Sequence, residues 1–345
     1  DVRHEAVSGL RERTMLMGPM QGRVMEDNIW QDGFINRYGS FAEVHVPFQK
    51  YHWVVAARLD VNEADVAQAD ERFAGIQSDY ASTHINPSFS SGLSREWTES
   101  LSAGVWLGRG VRSPNLGERF INFLPIGLDP YELIGNPQLA PEVNNQVDFS
   151  LNVSKQKTRL EVNIFASYLQ DFITSEIRED LQPRMNMAPG VREFVNLPEA
   201  AMYGFDLSWQ QTLPLGLRQV FTAAYTYGQD LSRDMPLPEI PPLDLRYTLS
   251  RKFAGDRLNT ELSLRHVLAQ ERTAAYFGET RTPSFTVMDI RGAYQFSPSW
   301  EVSAGVLNVL NATYWEHLSR FVRSMENPIY GPGRNAFITL SYRLE

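Results

Sequence analysis

The chain has 345 residues, and its 32 basic and 41 acidic residues give a net charge of −9, which argues against binding to nucleic-acid phosphates. It contains no cysteine, so disulfides, cysteine-based zinc or iron–sulfur sites and thiol catalysis are excluded. No run of about 18 apolar residues occurs, which excludes a helical membrane protein, and a hydrophobic content of 43% excludes a disordered chain.

Alternation of apolar and polar residues dominates the chain and predicts β-strands. In 147–153, Val, Phe, Leu and Val fall on one strand face, and Asp, Ser and Asn fall on the other. The same alternation recurs in 160–166, 243–250 and 336–344. We expect an all-β protein without an amphipathic helix of ordinary length.

The connections between these strands alternate in length along the chain. Short connections are predicted near 48–52, 96–99, 155–158, 213–216, 254–257 and 297–299. Long connections are predicted near 15–36, 64–83, 113–142, 177–190, 229–242, 273–284 and 317–334. Six short and seven long connections join fourteen strands, and strict alternation places every long connection at the same end of an antiparallel meander.

Sorting of loop length by end is typical of a bacterial outer-membrane barrel, which has short periplasmic turns and long outer loops. Strands of about 9–11 residues are the length that such a barrel needs. Aromatic residues cluster near both ends of the strands, as in two interfacial girdles: Trp53, Trp97, Trp209 and Trp300 beside short turns, and Tyr168, Tyr225, Tyr227, Tyr314 and Trp315 towards long loops. The alternation therefore predicts an antiparallel up-and-down transmembrane β-barrel of about fourteen strands; the alternative is a soluble β-protein with an aromatic core.

Four short stretches resemble motifs of the TonB-dependent outer-membrane receptors: RGVRSPNLGERF (109–120), GNPQLAPE (135–142), NVLNATY (308–314) and GPGR (331–334). The resemblance covers nearly the whole chain. It implies a location in the outer membrane of a Gram-negative bacterium, where a plug domain fills a 22-stranded barrel. It also implies contact with membrane lipid and with the TonB complex.

Residues 1–345 contain no match to a plug or a TonB box, and fourteen strands match the last fourteen of twenty-two. The resemblance therefore implies that 1–345 is the C-terminal barrel portion of a receptor, with the plug and first strands absent and TonB reached through that missing N-terminal region. A self-standing fourteen-stranded barrel is the alternative. Arg109, Arg112, Glu118 and Arg119 are predicted to form a charge network at a strand end, which touches the plug in a receptor or lines the pore in a porin.

A narrower resemblance, to the branch with outer-membrane copper receptors, rests on 225–229, 236–243 and 316–320. That branch holds copper with Cys, Met and His ligands. Because this chain has no cysteine and no His-x-Met triplet, that ligand set is not carried over.

Methionines support a metal hypothesis independently of the resemblance. Eight of the ten fall in predicted outer loops, where a polar residue is usual: Met15, Met17, Met20, Met25, Met185, Met187, Met235 and Met325. Thioethers are soft ligands that suit Cu(I), and Met-x-Met occurs at 15–17 and 185–187. The alternative is that these methionines pack the loops together. His84 and His317, near outer strand ends, could join a metal path or serve as hydrogen-bonded interface residues.

The sequence as a whole predicts an outer-membrane receptor for TonB-dependent uptake of a scarce nutrient. Copper is the preferred cargo, as an ion or a metal complex, and no tightly bound cofactor is expected. The alternatives are an iron–siderophore or cobalamin receptor, a passive porin-like pore and a barrel enzyme. An enzyme is not favoured, because no nucleophile elbow, HExxH motif or glycine-rich phosphate loop occurs.

Overall fold

The computed structural model describes residues 1–19, 21–124, 130–184, 188–319 and 328–344. These residues form one sheet with the strands β1 (Val2–Thr14), β2 (Val24–Phe48), β3 (Tyr51–Gln68), β4 (Ser82–Thr98), β5 (Leu101–Arg112), β6 (Asn122–Leu124), β7 (Glu132–Ile134), β8 (Glu142–Lys155), β9 (Thr158–Arg178), β10 (Val191–Thr212), β11 (Leu217–Asp230), β12 (Met235–Pro236), β13 (Asp244–Phe253), β14 (Leu258–Val267), β15 (Phe285–Gln295), β16 (Trp300–Leu307) and β17 (Asn335–Tyr342). The connections hold the short helices α1 (Glu71–Ala74) and α2 (Leu116–Phe120) and two 3-10 turns, Pro214–Gly216 and Ala275–Phe277. None of the described helices has the length and apolarity needed to cross a membrane.

Fourteen of the strands are long, and each pairs antiparallel with the next long strand along the chain. The three short strands β6, β7 and β12 lie within connections, so β5 pairs directly with β8 and β11 with β13. The predicted all-β, fourteen-stranded meander is therefore confirmed. In the described residues no pairing joins β1 to β17, so the sheet is open between its first and last strands.

The connections are sorted as predicted, with the short ones at one end of the sheet and the long ones at the other. Gln49, Gln156 and Leu215 take left-handed backbone dihedrals that close three of the short turns. The strand lengths differ from the expected 9–11 residues, since β2 has 25, β9 has 21 and β10 has 22. Pairing between β1 and β2 continues to Thr14 and Val24, so the predicted connection 15–36 shrinks to 15–23.

The outer face of the sheet is apolar although nothing in the described part of the chain covers it. Val105 and Leu107 in β5 are 44% and 58% exposed, and Ile338 and Leu340 in β17 are more exposed still. Exposed tryptophans, among them Trp53, lie near the short turns, as the predicted girdle requires. A contiguous apolar surface of this kind is stable in contact with lipid rather than water.

The opposite, inner face is polar along much of its length and is covered by folded connections near the long-loop end. Gly33 in β2 lies directly beneath the ring of Phe120 in α2, and a Cβ at Gly33 would come within 2.6 Å of that ring. Phe120 also packs against Ile35 and Ala64, which pair across β2 and β3 and are buried. A residue without a side chain at position 33 thus allows the connection after β5 to rest on the inner face.

Replacement of Ile164 by Arg should destabilise the folded protein in lipid vesicles by about 2–4 kcal/mol, because its half-exposed side chain points outward near mid-strand of β9. Asn163→Arg is the matched control, since the neighbouring position faces inward near Glu161 and Asp206. Urea titration of both variants in vesicles measures the difference. Equal stability of the two variants would contradict the assignment of the faces.

Candidate functional site

The long connections fold onto one another and form a loop cap, which consists of the described parts of 69–81, 113–141 and 179–190. Its buried core combines side chains from α1, β6, β7 and the start of β10: Phe73, Phe123, Ile134 and Val191. Because these residues come from distant parts of the chain, the cap holds three connections in one arrangement.

Arg184 is the main electrostatic link within the loop cap. Its guanidinium group pairs with Asp27 at 3.2 Å and with Asp70 at 3.1 Å, and its side chain is largely buried. It also stacks on the ring of Phe123, which carries the guanidinium group of Arg72 as well. Asp27 lies in β2 and Asp70 caps α1, so Arg184 ties the connection after β9 to two other elements.

Two of the four residues predicted to form a charge network at a strand end do so. Arg112, the last residue of β5, donates to both carboxylate oxygens of Glu118 at 3.1 and 2.8 Å and lies 3.4 Å from Glu142. Glu118 also accepts a hydrogen bond from the backbone N–H of Asn115, whose side chain in turn accepts one from the N–H of Glu118. This capping box starts α2, so the same carboxylate fixes the helix and holds Arg112.

Arg119, a residue of α2, is fully buried but lies outside this network. It donates to the carbonyl oxygen of Pro114 at 3.0 Å, to the Ser82 hydroxyl and to Asn62 at 3.3 Å, and it lies 3.2 Å from Nδ1 of His84. Within the described part of the chain no carboxylate pairs with it. Burial lowers the pKa of Arg119 to about 10, with Glu118 opposing the shift, so the group is charged at neutral pH. Contact of Arg112, Glu118 or Arg119 with a plug stays a prediction.

Arg109 lies on the other side of the sheet, which corrects its predicted place in the lumen. It shares its strand face with the exposed Val105 and Leu107, and its Nη1 donates to Asn145 at 2.9 Å. Arg112 lies three positions after Arg109, and an odd spacing along a regular strand places side chains on opposite faces.

His317 is enclosed in a contact between two long connections. Its Nδ1 lies 2.8 Å from the hydroxyl of Thr282, its Nε2 lies 3.1 Å from Glu279, and its side chain is 2% exposed. The group borders a cavity of about 60 Å³ that Trp315 also lines. With both ring nitrogens engaged, His317 acts here as a hydrogen-bonded residue. His84 is engaged too, since its Nδ1 lies near Arg119 and Ser113.

The predicted methionines occupy different environments. Met17 is 82% exposed at the tip of the β1–β2 hairpin, and Met15 is half-buried beside it. Met25 lies in β2 and not in a loop, because the hairpin pairs further than expected. Met235 is half-buried in β12. The other predicted loop methionines lie outside the described residues: Met20, Met185, Met187 and Met325.

In the described ranges, no three His, Asp or Glu side chains are grouped so that they could hold a metal ion. Two features of the structure were missed by sequence reasoning. Arg184 gave no sequence signal, because its partners are far away in the chain. The second is the approach of the ring nitrogens of His45 and His52 to 3.3 Å across the short β2–β3 turn. The available signal was that both histidines lie within a few residues of the predicted turn at 48–52.

The Glu279–His317 contact should depend on pH. Burial alone would raise the pKa of Glu279, but hydrogen bonds from His317 and from the backbone N–H groups of Ala274 and Glu239 outweigh it and hold the pKa below its ordinary value of 4.5. The stabilisation is therefore complete above pH 4.5 and is lost as pH falls through the lowered pKa.

We expect Glu279→Gln to accelerate hydrogen exchange at the Ala274 and Glu239 amides at pH 7. After correction for intrinsic exchange rates, the protection of these two amides should also change less as the pH is lowered. Glu271→Gln is the control, because its side chain is exposed and, among the residues that the structure describes, forms an ion pair with the exposed Arg281. Unchanged protection in Glu279→Gln would show that this carboxylate does not hold the connections together.

Comparison with known proteins bears on the family. Residues 16–309 match the family model described as TonB dependent receptor-like, beta-barrel, while no curated protein sequence matches the chain. Among solved structures, the copper transporter OprC superposes with a TM-score of 0.80 at 19% identity, covering 99% of this chain and 52% of that one. The FrpB iron transporter from Neisseria meningitidis (F5-1 variant) superposes with a TM-score of 0.66 at 15% identity, covering 91% of this chain and 46% of that one. The ferric enterobactin receptor PfeA, solved in complex with BCV-L6, superposes with a TM-score of 0.63 at 14% identity, covering 99% of this chain and 59% of that one.

At these identities the solved structures establish the fold alone, and the chain spans about half the length of each. The matching family consists of receptors and transporters and not of enzymes, which agrees with the sequence analysis. The family match covers most of the chain and includes every strand from β2 to β16. The chain therefore belongs to the TonB-dependent receptor β-barrel family, whose members are outer-membrane proteins of Gram-negative bacteria.

Proposed function

We propose that the protein takes part in TonB-dependent import of a scarce nutrient across the outer membrane, and that its cargo is copper. The observation that carries the cargo is the thioether pair at the tip of the β1–β2 hairpin, of which Met17 is exposed and Met15 half-buried. The similarity to the copper transporter OprC supports it, because its TM-score of 0.80 exceeds the 0.66 of the FrpB iron transporter.

The exposure of Met17 supports metal capture over loop packing, the two explanations that the sequence left open. A methionine that packs loops together is buried, since its contribution comes from apolar contact. Met17 is 82% exposed and makes little such contact. An exposed thioether is instead available to a soft ion such as Cu(I). The half-buried Met15 lies two residues away on the same hairpin.

The second Met-x-Met pair follows Arg184 in the chain. Arg184 pairs with Asp27, which also pairs with Arg11 and Arg13 near the end of β1. Arg184, which precedes the second pair in the sequence, therefore lies beside the base of the hairpin that carries Met15. That both pairs capture the ion together is part of the proposal, and it is tested by replacing all four methionines jointly.

An iron–siderophore cargo is the second candidate, favoured by the similarity to FrpB and to the ferric enterobactin receptor PfeA. The two cargoes differ in what recognises them. A siderophore surrounds its iron with its own ligands and needs a wide polar surface, whereas a bare or weakly complexed Cu(I) ion needs soft side chains.

Joint replacement of Met15, Met17, Met185 and Met187 by Leu should lower Cu(I) affinity at least tenfold, or about 1.4 kcal/mol. Leucine keeps the volume and apolarity but removes the sulfur. The measurement is a Cu(I) titration of the purified protein in detergent against a competing chelator. Because thioethers carry no proton, the affinity should change little between pH 5.5 and 7.5, whereas histidine ligands would lose affinity through about pH 6.

Met202→Leu with Met288→Leu is the control, because both methionines lie in strands, in β10 and β15. Uptake of copper and of a ferric siderophore should be compared in cells with and without TonB. Loss of TonB-dependent copper accumulation in the quadruple variant supports copper. Unchanged Cu(I) affinity with intact ferric-siderophore uptake would transfer the assignment to iron.

A further inference from the structure

A pair of histidines lies at the end of the sheet opposite the loop cap. His45 in β2 and His52 in β3 flank the short turn, and His45 pairs in register with Val54, two residues from His52. Diagonal neighbours on one face of an antiparallel pair are within reach of long or aromatic side chains. The rings lie 5.3 Å apart between centroids, and Nδ1 of His45 is 3.3 Å from Nε2 of His52.

Both histidines belong to the inner face of the sheet. Ile35 and Ala64 pair across the two strands and are buried beneath α2, which marks that face. The register between β2 and β3 is regular from Ile35 to the turn, so side chains keep alternating without a shift. His45 lies ten residues after Ile35, and His52 lies twelve residues before Ala64. Even spacings place all four side chains on one face.

Glu43 determines which nitrogen of His45 carries the proton. Its Oε1 lies 2.6 Å from Nε2 of His45, so Nε2 is the donor and Nδ1 keeps its lone pair. That lone pair is directed to the side where His52 lies. A carboxylate that orients a histidine through its second nitrogen is a recurrent feature of metal sites.

The separation of the two nitrogens fits a single metal ion. The two nitrogens are 3.3 Å apart, so an ion bound about 2.1 Å from each would have an N–metal–N angle of about 104°. This angle is close to the tetrahedral value. Without metal, the contact is a hydrogen bond from Nε2–H of His52 to Nδ1 of His45. With metal, His52 carries its one proton on Nδ1 instead, and both facing nitrogens supply lone pairs.

We propose that His45 and His52 bind a borderline transition-metal ion such as Zn(II) or Cu(II) on the inner face at the short-turn end, with Glu43 orienting His45. Imidazole nitrogens suit these ions. Glu43 contacts the far nitrogen, so it acts as a positioning residue and not as a third ligand. The side chains of His45 and Glu43 are 52% and 50% exposed, so an ion can reach the pair from water. The site lies at the opposite end of the sheet from Met15 and Met17, and it does not depend on the cargo proposed above.

Zn(II) titration of the full chain in detergent tests the pair, because Zn(II) discriminates against the loop thioethers. His45→Gln and His52→Gln should each lower the affinity at least tenfold. His4→Gln is the matched control: His4 also lies on an exposed strand, but its Nδ1 contacts the amide of Asn36. Far-UV circular dichroism verifies that each variant is folded. Zn(II) affinity unaffected by His45→Gln would overturn the proposal.

Electron paramagnetic resonance of bound Cu(II) gives a second, independent readout. The wild-type signal at the site should show hyperfine coupling to two imidazole nitrogens, and each single histidine variant should lose one. Glu43→Gln should keep both couplings while the affinity falls about 10–100-fold, as for other residues that orient a metal ligand. Loss of a coupling in Glu43→Gln, or an unchanged affinity, would overturn the orienting role.

Discussion

Backbone hydrogen bonding between neighbouring antiparallel strands is the interaction on which the rest of the structure depends. An unpaired N–H or C=O group in the hydrocarbon of a bilayer costs several kcal/mol, and each long strand from β2 to β16 pairs with a neighbour on both sides. Regular pairing in turn fixes the direction of every side chain, with alternate residues outward and inward. The apolar outer face and the polar inner face both follow from that single constraint.

The same pairing explains how much of the fold is readable from the sequence. Short turns are visible because an alternating pattern stops and restarts within a few residues, and the fourteen strands follow from counting those stops. The loop-side ends of strands are not visible. Beyond the membrane a strand needs no outward apolar residue, so β2 continues to Val24 through a segment without the alternating pattern. Met25 was assigned to a loop for this reason.

Candidate site residues were predictable where their partners are local. Glu118 follows Asn115 by three residues, a spacing that marks a capping box, and Arg112 is close enough to share its carboxylate. Long-range contacts carry no such mark. The enclosure of His317 depends on Glu279 in another connection, and the approach of His45 to His52 depends on the register of two strands. Because side chains alternate between the two faces along a strand, the odd spacing from Arg112 would have placed Arg109 on the outer face.

The extension of β9 and β10 beyond the expected length has a mechanical consequence. A force directed along these strands loads many ladder hydrogen bonds simultaneously in shear, because their pairing continues over about twenty positions from the short turn to Arg178 and Val191. A force on a loop tip instead peels contacts one at a time. Under load the loop cap would yield first, at ion pairs such as Arg184 with Asp70, while the long hairpin keeps its shape. The long strands are therefore the rigid part of this region, and the loop cap at their end is the part that deforms.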